Sequence, residues 1–225
     1  MSETLIFIPA RSGSKRLKNK NIRKVNGKPL IYWTIKYAKM YAKKNDIIVS
    51  SDSKFIQKIS VNEKIKFLKR PKYISGDKSE VYFAIIHALK KIENCNRYKY
   101  VAVLQPTSPI RPKNIITNSI KILKKNRRFQ NLIHLERLYL NIGTIYKKKE
   151  WKPMFKKSTR SQDIVNQFRP SGCLFLYSTQ NIEDYIKFKK RKIYGYFPKK
   201  NLETVNIDRE EDFLKLNYLL KKNEK

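Results

Sequence analysis

Positively charged and small side chains crowd together between residues 8 and 22, in the stretch IPARSGSKRLKNKNI. Arg11, Lys15 and Lys20 are basic, and Gly13 lies between two serines. Glycine lets the backbone approach a ligand closely, and successive backbone N–H groups can form a concave anion site. The stretch contains neither GxxxxGK[ST] nor GxGxxG, so it matches neither common nucleotide fingerprint. Its composition nevertheless favours binding of phosphate groups.

The whole chain is strongly basic, which offers a second explanation for this loop. Its 225 residues include 52 Lys and Arg against 18 Asp and Glu, a formal net charge of +34. Clustered basic residues can bind nucleic acid by releasing counterions from its phosphates. Here, however, Lys is spread along the whole chain, and no helix-turn-helix, zinc-finger or RNP-type motif is present. We therefore expect a solvated basic surface and no specific nucleic-acid partner.

Short apolar segments alternate with amphipathic segments along most of the chain. Strands are expected at Thr4–Ile8, Ile47–Ser50, Lys66–Lys69, Tyr100–Leu104, Leu132–Leu135 and Cys173–Tyr177. Helical spacing of apolar residues extends over 30–41 and 81–92, and further helices are expected at Pro112–Ile122 and Glu210–Leu220. Strands alternating with helices are typical of an α/β fold with a mostly parallel sheet covered on both faces. In such sheets ligands bind outside the carboxyl ends of the strands, where the basic loop begins.

Residues 138–168 interrupt this alternation. They contain two candidate short strands, Ile142–Tyr146 and Trp151–Phe155, and no helical period. A long irregular segment in a compact domain is usually functional or pairs with another surface.

Several features indicate a soluble, cytoplasmic protein with one globular domain. The length suits a single domain. No apolar run approaches the ~20 residues that span a bilayer, and the N-terminus lacks the features of a signal peptide. The cysteines, Cys95 and Cys173, do not form a CxxC pair. His87 and His134 lie in apolar segments and are expected in the core or at its rim.

Six segments occur in an order and spacing that resemble one known family. They are PARSGSKRLKNKNI, SSDS at 50–53, KRPKYISGDKS at 69–79, LQPTSPIRP at 104–112, RSQDIVNQFRPSG at 160–172 and NIDREEDF at 206–213. Together they cover nearly the whole chain. The sequence resembles the acylneuraminate cytidylyltransferases, which include the CMP-sialic, CMP-legionaminic and CMP-pseudaminic acid synthetases.

The resemblance implies a fold, a reaction and an assembly. The fold would be the Rossmann-like nucleotide-diphosphosugar-transferase fold, and residues 1–225 would form a single cytidylyltransferase domain. The reaction would join CTP to an acidic nine-carbon keto-sugar, giving the CMP-sugar and pyrophosphate, with Mg²⁺ as cofactor. Such transfers depend mainly on positioning and on neutralising phosphate charge. The partners would be CTP, the sugar and a second copy of the chain, with residues 138–168 as a dimerisation arm and no membrane contact.

The resemblance also assigns roles to particular residues. The predicted catalytic residues are Arg11 and Lys20. The predicted nucleotide-binding residues are Ala10, Arg11, Ser14, Lys15, Asn21, Arg70, Asp77 and Gln105. The predicted sugar-binding residues are Gln105, Arg160, Gln162, Arg169, Ser171 and Phe175.

Two segments depart from the usual pattern of the family. Asn206-Ile207-Asp208 stands where an Asp-Ile-Asp sequence usually holds Mg²⁺. Residues two apart on a strand face the same side, and an Asn carbonyl can replace a carboxylate with less charge, so Asn206 and Asp208 are the predicted metal ligands. The alternative is that Asp208 caps the following helix. Ser171-Gly172 and Phe175 stand where sialate-specific members have Asn-Gly and Tyr, which leaves the identity of the sugar open.

Three other functions remain open. A CMP-Kdo synthetase or another nucleotide-sugar synthetase of the same fold would use a different acid or nucleotide. A basic nucleic-acid-binding protein would ignore CTP and bind duplex with a steep salt dependence. A non-catalytic relative could have lost metal chemistry at Asn206.

Overall fold

The strands and helices of the protein are given by a computed structural model that describes residues 3–13, 17–76, 79–138, 143–145, 151–153, 167–180, 182, 192–197 and 205–222. The strands are β1 (Thr4–Pro9), β2 (Lys24–Val25), β3 (Lys28–Pro29), β4 (Ile47–Ser51), β5 (Lys66–Lys69), β6 (Tyr100–Val103), β7 (Asn131–Leu138), β8 (Gly143–Ile145), β9 (Trp151–Pro153), β10 (Gln167–Ser178) and β11 (Ile193–Tyr196). The helices are α1 (Leu30–Lys39), α2 (Lys54–Asn62), α3 (Val81–Lys91), α4 (Ile115–Lys125) and α5 (Glu210–Lys222).

The central sheet has the strand order β11-β7-β10-β6-β1-β4-β5. Strands β6, β1, β4 and β5 run parallel to one another, and β11 is parallel to β7. Strand β10 is antiparallel to both β6 and β7. The expected mostly parallel sheet, with helices on both faces, is therefore confirmed.

The alternation of side chains along β1 explains how the sheet is covered. Leu5 and Phe7 point into one buried cluster, which α3 closes. Ile6 and Ile8 point into the opposite cluster, to which α1, α2 and α4 contribute. All four side chains are almost fully buried. A strand that is apolar on both faces belongs in the interior of a helix-covered sheet, and the continuous run of β1 follows this rule.

Several elements differ from the sequence-based expectation. Helix α2 was not predicted; it has nine residues, of which only Ile56 and Ser60 are buried. The hydroxyl of Ser53 caps it by accepting a hydrogen bond from Ile56 N at 3.4 Å. The short strands β2 and β3 were not predicted either. Nor was strand β11, and α4 begins at Ile115 rather than at Pro112.

An irregularity in β10 bends the sheet close to the carboxyl ends of the parallel strands. The register between β10 and β7 shifts between Pro170 and Phe175, and Gly172 in this bulge has a φ of +74°. A bulge changes which way the following side chains point. This one bears directly on residues expected to bind the sugar.

The segment expected as a dimerisation arm is described only in part. Within it β8 pairs antiparallel with β9 as a separate two-stranded sheet, which agrees with the two short strands expected there. Among the described helices, none is both long and apolar enough to cross a bilayer.

Candidate active site at the carboxyl ends of the parallel strands

A cleft of about 220 Å³ opens where the parallel strands end. The loops after β1, β5 and β6 each contribute to its wall. Five residues predicted from the sequence line it together: Arg11, Lys20, Asn21, Arg70 and Gln105. Pro9, Gly13, Ser79, Val81, Pro106 and Thr107 complete the lining. The predicted position at this edge of the sheet is therefore confirmed for the described part of the loop.

The basic loop is fixed to the neighbouring strand by one carboxylate. Asp52, directly after β4, accepts hydrogen bonds from Ser12 N at 2.7 Å and from Ser12 Oγ at 2.6 Å. Burial opposes ionisation of Asp52, but the bonds from Ser12 outweigh it and lower the pKa of this carboxyl. Asp52 is therefore ionised at neutral pH and holds the start of the loop against β4, which sets the position of Arg11 and Gly13.

The far end of the loop folds back onto its start. Asn21 Nδ2 donates a hydrogen bond to the carbonyl oxygen of Arg11 at 3.1 Å. Its side chain thus supports the loop. Ala10 is fully buried and its N–H donates to Ser50 O at 2.9 Å, so only its carbonyl oxygen could meet a ligand.

Two guanidinium groups lie close enough to influence each other at the cleft. Arg70 is only 6% exposed; its Nε donates to Ser50 Oγ at 3.1 Å and its Nη2 to Ser50 O at 2.9 Å. Burial lowers the pKa of Arg70 to about 10; Asp52 counteracts this, whereas the positive charge of Arg11 adds to it. Arg70 stays charged at neutral pH. A buried cation beside another cation is costly, so an anion in the cleft would be stabilised by both.

A third guanidinium fixes the loop that carries Gln105. Arg111 is 7% exposed and donates to the carbonyl oxygens of Gln105 and Cys173 at 2.5 and 2.9 Å and to Thr34 Oγ1 at 3.1 Å. Burial lowers the pKa of Arg111 to about 10. No carboxylate pairs with it among the described residues, so uncharged carbonyl and hydroxyl oxygens stabilise its charge. Arg111 lies in the sequence segment LQPTSPIRP, but the sequence assigned it no role. Its partners Thr34 and Cys173 are far from it along the chain.

Gly172 lies against the side chains of the same loop. A Cβ on Gly172 would collide with Ser108 Oγ and would lie 2.9 Å from Gln105 Oε1. Ser108 in turn donates to the carbonyl oxygen of Ser171 at 2.8 Å. The bulge in β10 and the loop after β6 therefore pack together at the Gln105 side chain, which is why a glycine is needed there.

Three predicted sugar-binding residues lie outside the lining of the cleft. Ser171 is buried, and its hydroxyl is bonded to His134 Nδ1 at 2.7 Å and to Cys173 N at 3.2 Å. Phe175 packs on the core cluster that α3 covers. Arg169 is more than half exposed and pairs with Glu136. Next to the bulge, the side chains of Ser171 and Phe175 thus pack in the interior, and the sugar contact expected of them stays a prediction.

The predicted metal ligands lie beside the cleft. Ile207 N donates to Thr107 O at 2.7 Å, which ties this extended segment to the cleft wall. Ile207 is buried, whereas Asn206 and Asp208 on either side are partly exposed, so these two side chains share the opposite face. Lys20 Nζ, part of the cleft lining, donates to Ile207 O at 2.7 Å and to Asp208 Oδ1 at 3.0 Å.

Helix α5, which Asp208 was alternatively expected to cap, has another carboxylate bonded at its N-terminus. Helix α5 begins at Glu210, and it is Asp212 Oδ2 that accepts hydrogen bonds from the N–H groups of Asp208 and Arg209, each at 2.7 Å. An acidic residue three positions after the cap commonly reaches back in this way. The carboxylate of Asp208 accepts a hydrogen bond from Lys20.

Some sequence predictions fall on residues outside the described part of the chain: Ser14, Lys15, Asp77, Arg160 and Gln162. The structure adds Ser79 to the lining of the cleft. It lies just before helix α3, which follows Glu80 without a side-chain cap. The Ser79 hydroxyl is buried at the cleft and has no hydrogen-bond partner among the described residues. An unpaired buried hydroxyl in a pocket wall is a candidate ligand contact.

Comparisons with known proteins show the family of the chain. Residues 5–224 match the family model described as cytidylyltransferase. The chain is 28% identical over 216 residues to the N-acylneuraminate cytidylyltransferase of Escherichia coli O18:K1:H7, covering 94% of this chain and 51% of that protein. It is 29% identical over 233 residues to the pseudaminic acid cytidylyltransferase of Campylobacter jejuni, covering 96% of both. The chain thus spans about half the length of the first relative and nearly all of the second.

A solved structure shares the fold. A CMP:2-keto-3-deoxy-manno-octonic acid synthetase complexed with CTP superposes with a TM-score of 0.74 at 14% sequence identity, covering 99% of this chain and 100% of that one. At this identity the likeness concerns the fold alone. Because the family model matches almost the entire chain, the protein belongs to the cytidylyltransferase family.

Proposed function

We propose that the protein transfers the cytidylyl group of CTP to an acidic nine-carbon keto-sugar and releases pyrophosphate. The observation that carries this proposal is the convergence of Arg11, Lys20, Arg70 and Gln105 on one cleft in a cytidylyltransferase chain. The names of the Escherichia coli and Campylobacter relatives point to N-acylneuraminate and to pseudaminic acid. Both names support this class of sugar.

The cationic side of the cleft suits a triphosphate. Arg11 lies on the loop that Asp52 and Asn21 hold in place, so its charge is positioned before the nucleotide binds. Lys20 lies near the far end of the same loop and lines the cleft. Arg70 adds a buried charge from the end of β5. Preorganised cations stabilise charge that develops during a reaction, because they need no reorganisation at that moment. With Ser14, Lys15 and Asp77, they form the proposed nucleotide site.

The reaction replaces a phosphoanhydride bond of CTP with a phosphate ester bond. The anomeric hydroxyl oxygen of the sugar bonds to the α-phosphorus as its proton passes to solvent water. The bond from that phosphorus to the bridging oxygen breaks, and pyrophosphate leaves with the electron pair. Negative charge grows on the leaving group, so Arg11 and Lys20 are the proposed catalytic residues.

A divalent cation fits the segment beside Lys20. Asn206 Oδ1 is buried without a hydrogen-bond partner among the described residues, and Asp208 supplies a carboxylate on the same face. These oxygen atoms suit Mg²⁺, which typically binds one or two carboxylates together with substrate phosphates. When bound, Mg²⁺ would neutralise phosphate charge. We expect Asn206→Asp to lower the Mg²⁺ concentration for half-maximal rate, because a second carboxylate strengthens the site.

The sugar is proposed to bind on the Gln105 side of the cleft. Gln105 is positioned there by Arg111 and Gly172. Arg169, Arg160 and Gln162 are proposed to meet the carboxylate and hydroxyls of the sugar. Ser171 would act indirectly, through its contact with Ser108.

We also propose that the chain forms a single catalytic domain that works as a homodimer, with residues 138–168 reaching the second copy. The β8–β9 hairpin in this segment is separate from the central sheet, as an arm directed toward another subunit would be. Analytical ultracentrifugation of the full chain should give a dimer. A variant with the 138–168 segment shortened should sediment as a monomer, with weaker sugar affinity and retained CTP binding; a monomeric full-length chain would refute the arm.

The function is tested by pyrophosphate release from CTP, Mg²⁺ and a panel of acids. The panel contains sialic, legionaminic and pseudaminic acids, together with the eight-carbon acid Kdo. We expect turnover with at least one nine-carbon acid and a preference for CTP over other nucleotides. Turnover with Kdo alone would transfer the assignment to the CMP-Kdo synthetases, and no turnover by the folded protein would refute it.

A further inference from the structure

The carboxylate of Asp208 already has a cation beside it. Lys20 Nζ lies 3.0 Å from Asp208 Oδ1 and 2.7 Å from Ile207 O. The Lys20 side chain is 12% exposed and that of Asp208 is 37% exposed. Water therefore screens this pair only in part. The ammonium group takes up oxygen atoms that a divalent cation at this segment would need.

The side-chain oxygen of Asn206 takes no part in the contact between Lys20 and Asp208. Asn206 Oδ1 is buried, and no described residue donates a hydrogen bond to it. An amide oxygen carries no net charge and is a weak ligand by itself, because Mg²⁺ sites rely on carboxylates and phosphates. The strength of a metal site here thus depends on whether Asp208 is released from Lys20.

The Lys20 ammonium group and a divalent cation would repel each other if both lay beside Asp208. A divalent cation at Asp208 would lie within a few ångströms of the Lys20 ammonium group and be repelled by it. Even at a water-like dielectric constant, such a repulsion amounts to about 2 kcal/mol, or more than tenfold in affinity. A bound polyphosphate removes the conflict, because its negative charges attract Lys20 and its oxygens add metal ligands.

We propose that Lys20 is the resident cation of Asp208, which excludes divalent cations from the nucleotide-free protein until a polyphosphate draws its ammonium group away. The proposal rests on the proposed function only for the identity of that polyphosphate, CTP. It gives Lys20 a second role, in which one side chain couples nucleotide binding to metal binding.

The test measures Mn²⁺ binding without nucleotide, from the electron paramagnetic resonance signal of free Mn²⁺. Lys20→Met should bind Mn²⁺ at least tenfold more tightly than the wild type. Lys18→Met is the matched control, since it removes the same charge from an exposed position two residues away and should change nothing. The gain should vanish in Lys20→Met/Asp208→Asn. Lys20→Gln replaces Lys20→Met if the latter fails to fold.

The second arm measures CTP binding by calorimetry in the presence of EDTA. The wild type should bind metal-free CTP, and Lys20→Met should bind it at least tenfold more weakly, whereas Lys18→Met should not. The proposal is overturned if the wild type binds Mn²⁺ as tightly as Lys20→Met, if the control gains equally, or if Lys20 does not affect metal-free CTP. The Mn²⁺ titration contains neither substrate, so its outcome is separate from that of the pyrophosphate assay.

Discussion

Substituting alanine for Gly172 tests how the Gln105 loop is positioned. The new Cβ would collide with Ser108 Oγ and lie 2.9 Å from Gln105 Oε1. Ser108 is fully buried and bonded to Ser171 O at 2.8 Å, so its hydroxyl can move only by breaking that bond. Gly172 also has a φ of +74°.

The cost of this substitution has two parts. A non-glycine residue in the left-handed region costs about 1–2 kcal/mol. Overpacking a buried site adds about 1–3 kcal/mol. We therefore expect Gly172→Ala to lower the free energy of unfolding by roughly 3 kcal/mol, and to raise the KM for substrate because the Gln105 side chain must shift.

Gly27 provides the matched control. Its φ is +71°, and a Cβ there would meet nothing within 4 Å, so Gly27→Ala carries the backbone cost without the collision. Urea unfolding of both variants should show Gly172→Ala to be less stable by about 2 kcal/mol. Adding Ser108→Ala to Gly172→Ala should restore part of the loss, as a double-mutant cycle would show. Equal losses for the two glycine variants would refute this account of the loop.

The other predictions concern charge, the helix cap and pH. Arg11→Ala and Lys20→Ala should each lower kcat by roughly 10²-fold, since each removes a positive charge that acts on the reacting phosphates. Arg11→Ala should keep the melting temperature, whereas Lys20→Ala should lower it because it removes the bonds to Ile207 O and Asp208. Near-wild-type rates in steady-state assays would contradict the assigned role. Asp208→Ala should nearly abolish turnover. Asp212→Ala should keep turnover and lower the free energy of unfolding in urea by about 1 kcal/mol. The reverse pattern would indicate that Asp208 caps the helix. Burial lowers the pKa of His134 to about 4 in the folded protein, whereas an unfolded chain has a histidine pKa near 6.5. The neutral imidazole therefore contributes fully to the free energy of unfolding above about pH 6.5, and this contribution declines as the pH falls toward 4. A His134→Asn variant should show a flatter decline across that window, and an unchanged slope would exclude His134.

The cleft could be predicted because its main residues directly follow strands. Arg11, Arg70 and Gln105 come shortly after β1, β5 and β6, and the carboxyl ends of parallel strands meet at one edge of the sheet. The positions of β1, β4 and β6 followed from runs of residues that are buried on both faces. The order of the elements therefore predicts where the site lies, whereas the roles of its residues came from the family resemblance.

The contacts that fix the cleft could not be predicted in the same way. The bond between Ser12 and Asp52 depends on the neighbouring positions of β1 and β4, which the sequence does not state. The bulge near Gly172 turned Ser171 and Phe175 inward, whereas a regular strand would have kept the expected alternation. The cap of α5 came from Asp212 rather than Asp208 because a residue inside the first turn can reach back to the same N–H groups.

The central claim is that the cations of this cleft promote cytidylyl transfer from CTP. The most direct measurement is ³¹P NMR of CTP incubated with Mg²⁺, the protein and a nine-carbon acidic keto-sugar. We predict that the CTP resonances give way to those of pyrophosphate and of one phosphodiester, the CMP-sugar, and that Arg11→Ala slows this change. Formation of CDP with a phosphorylated sugar, or CTP left intact with every acid of the panel, would contradict the claim.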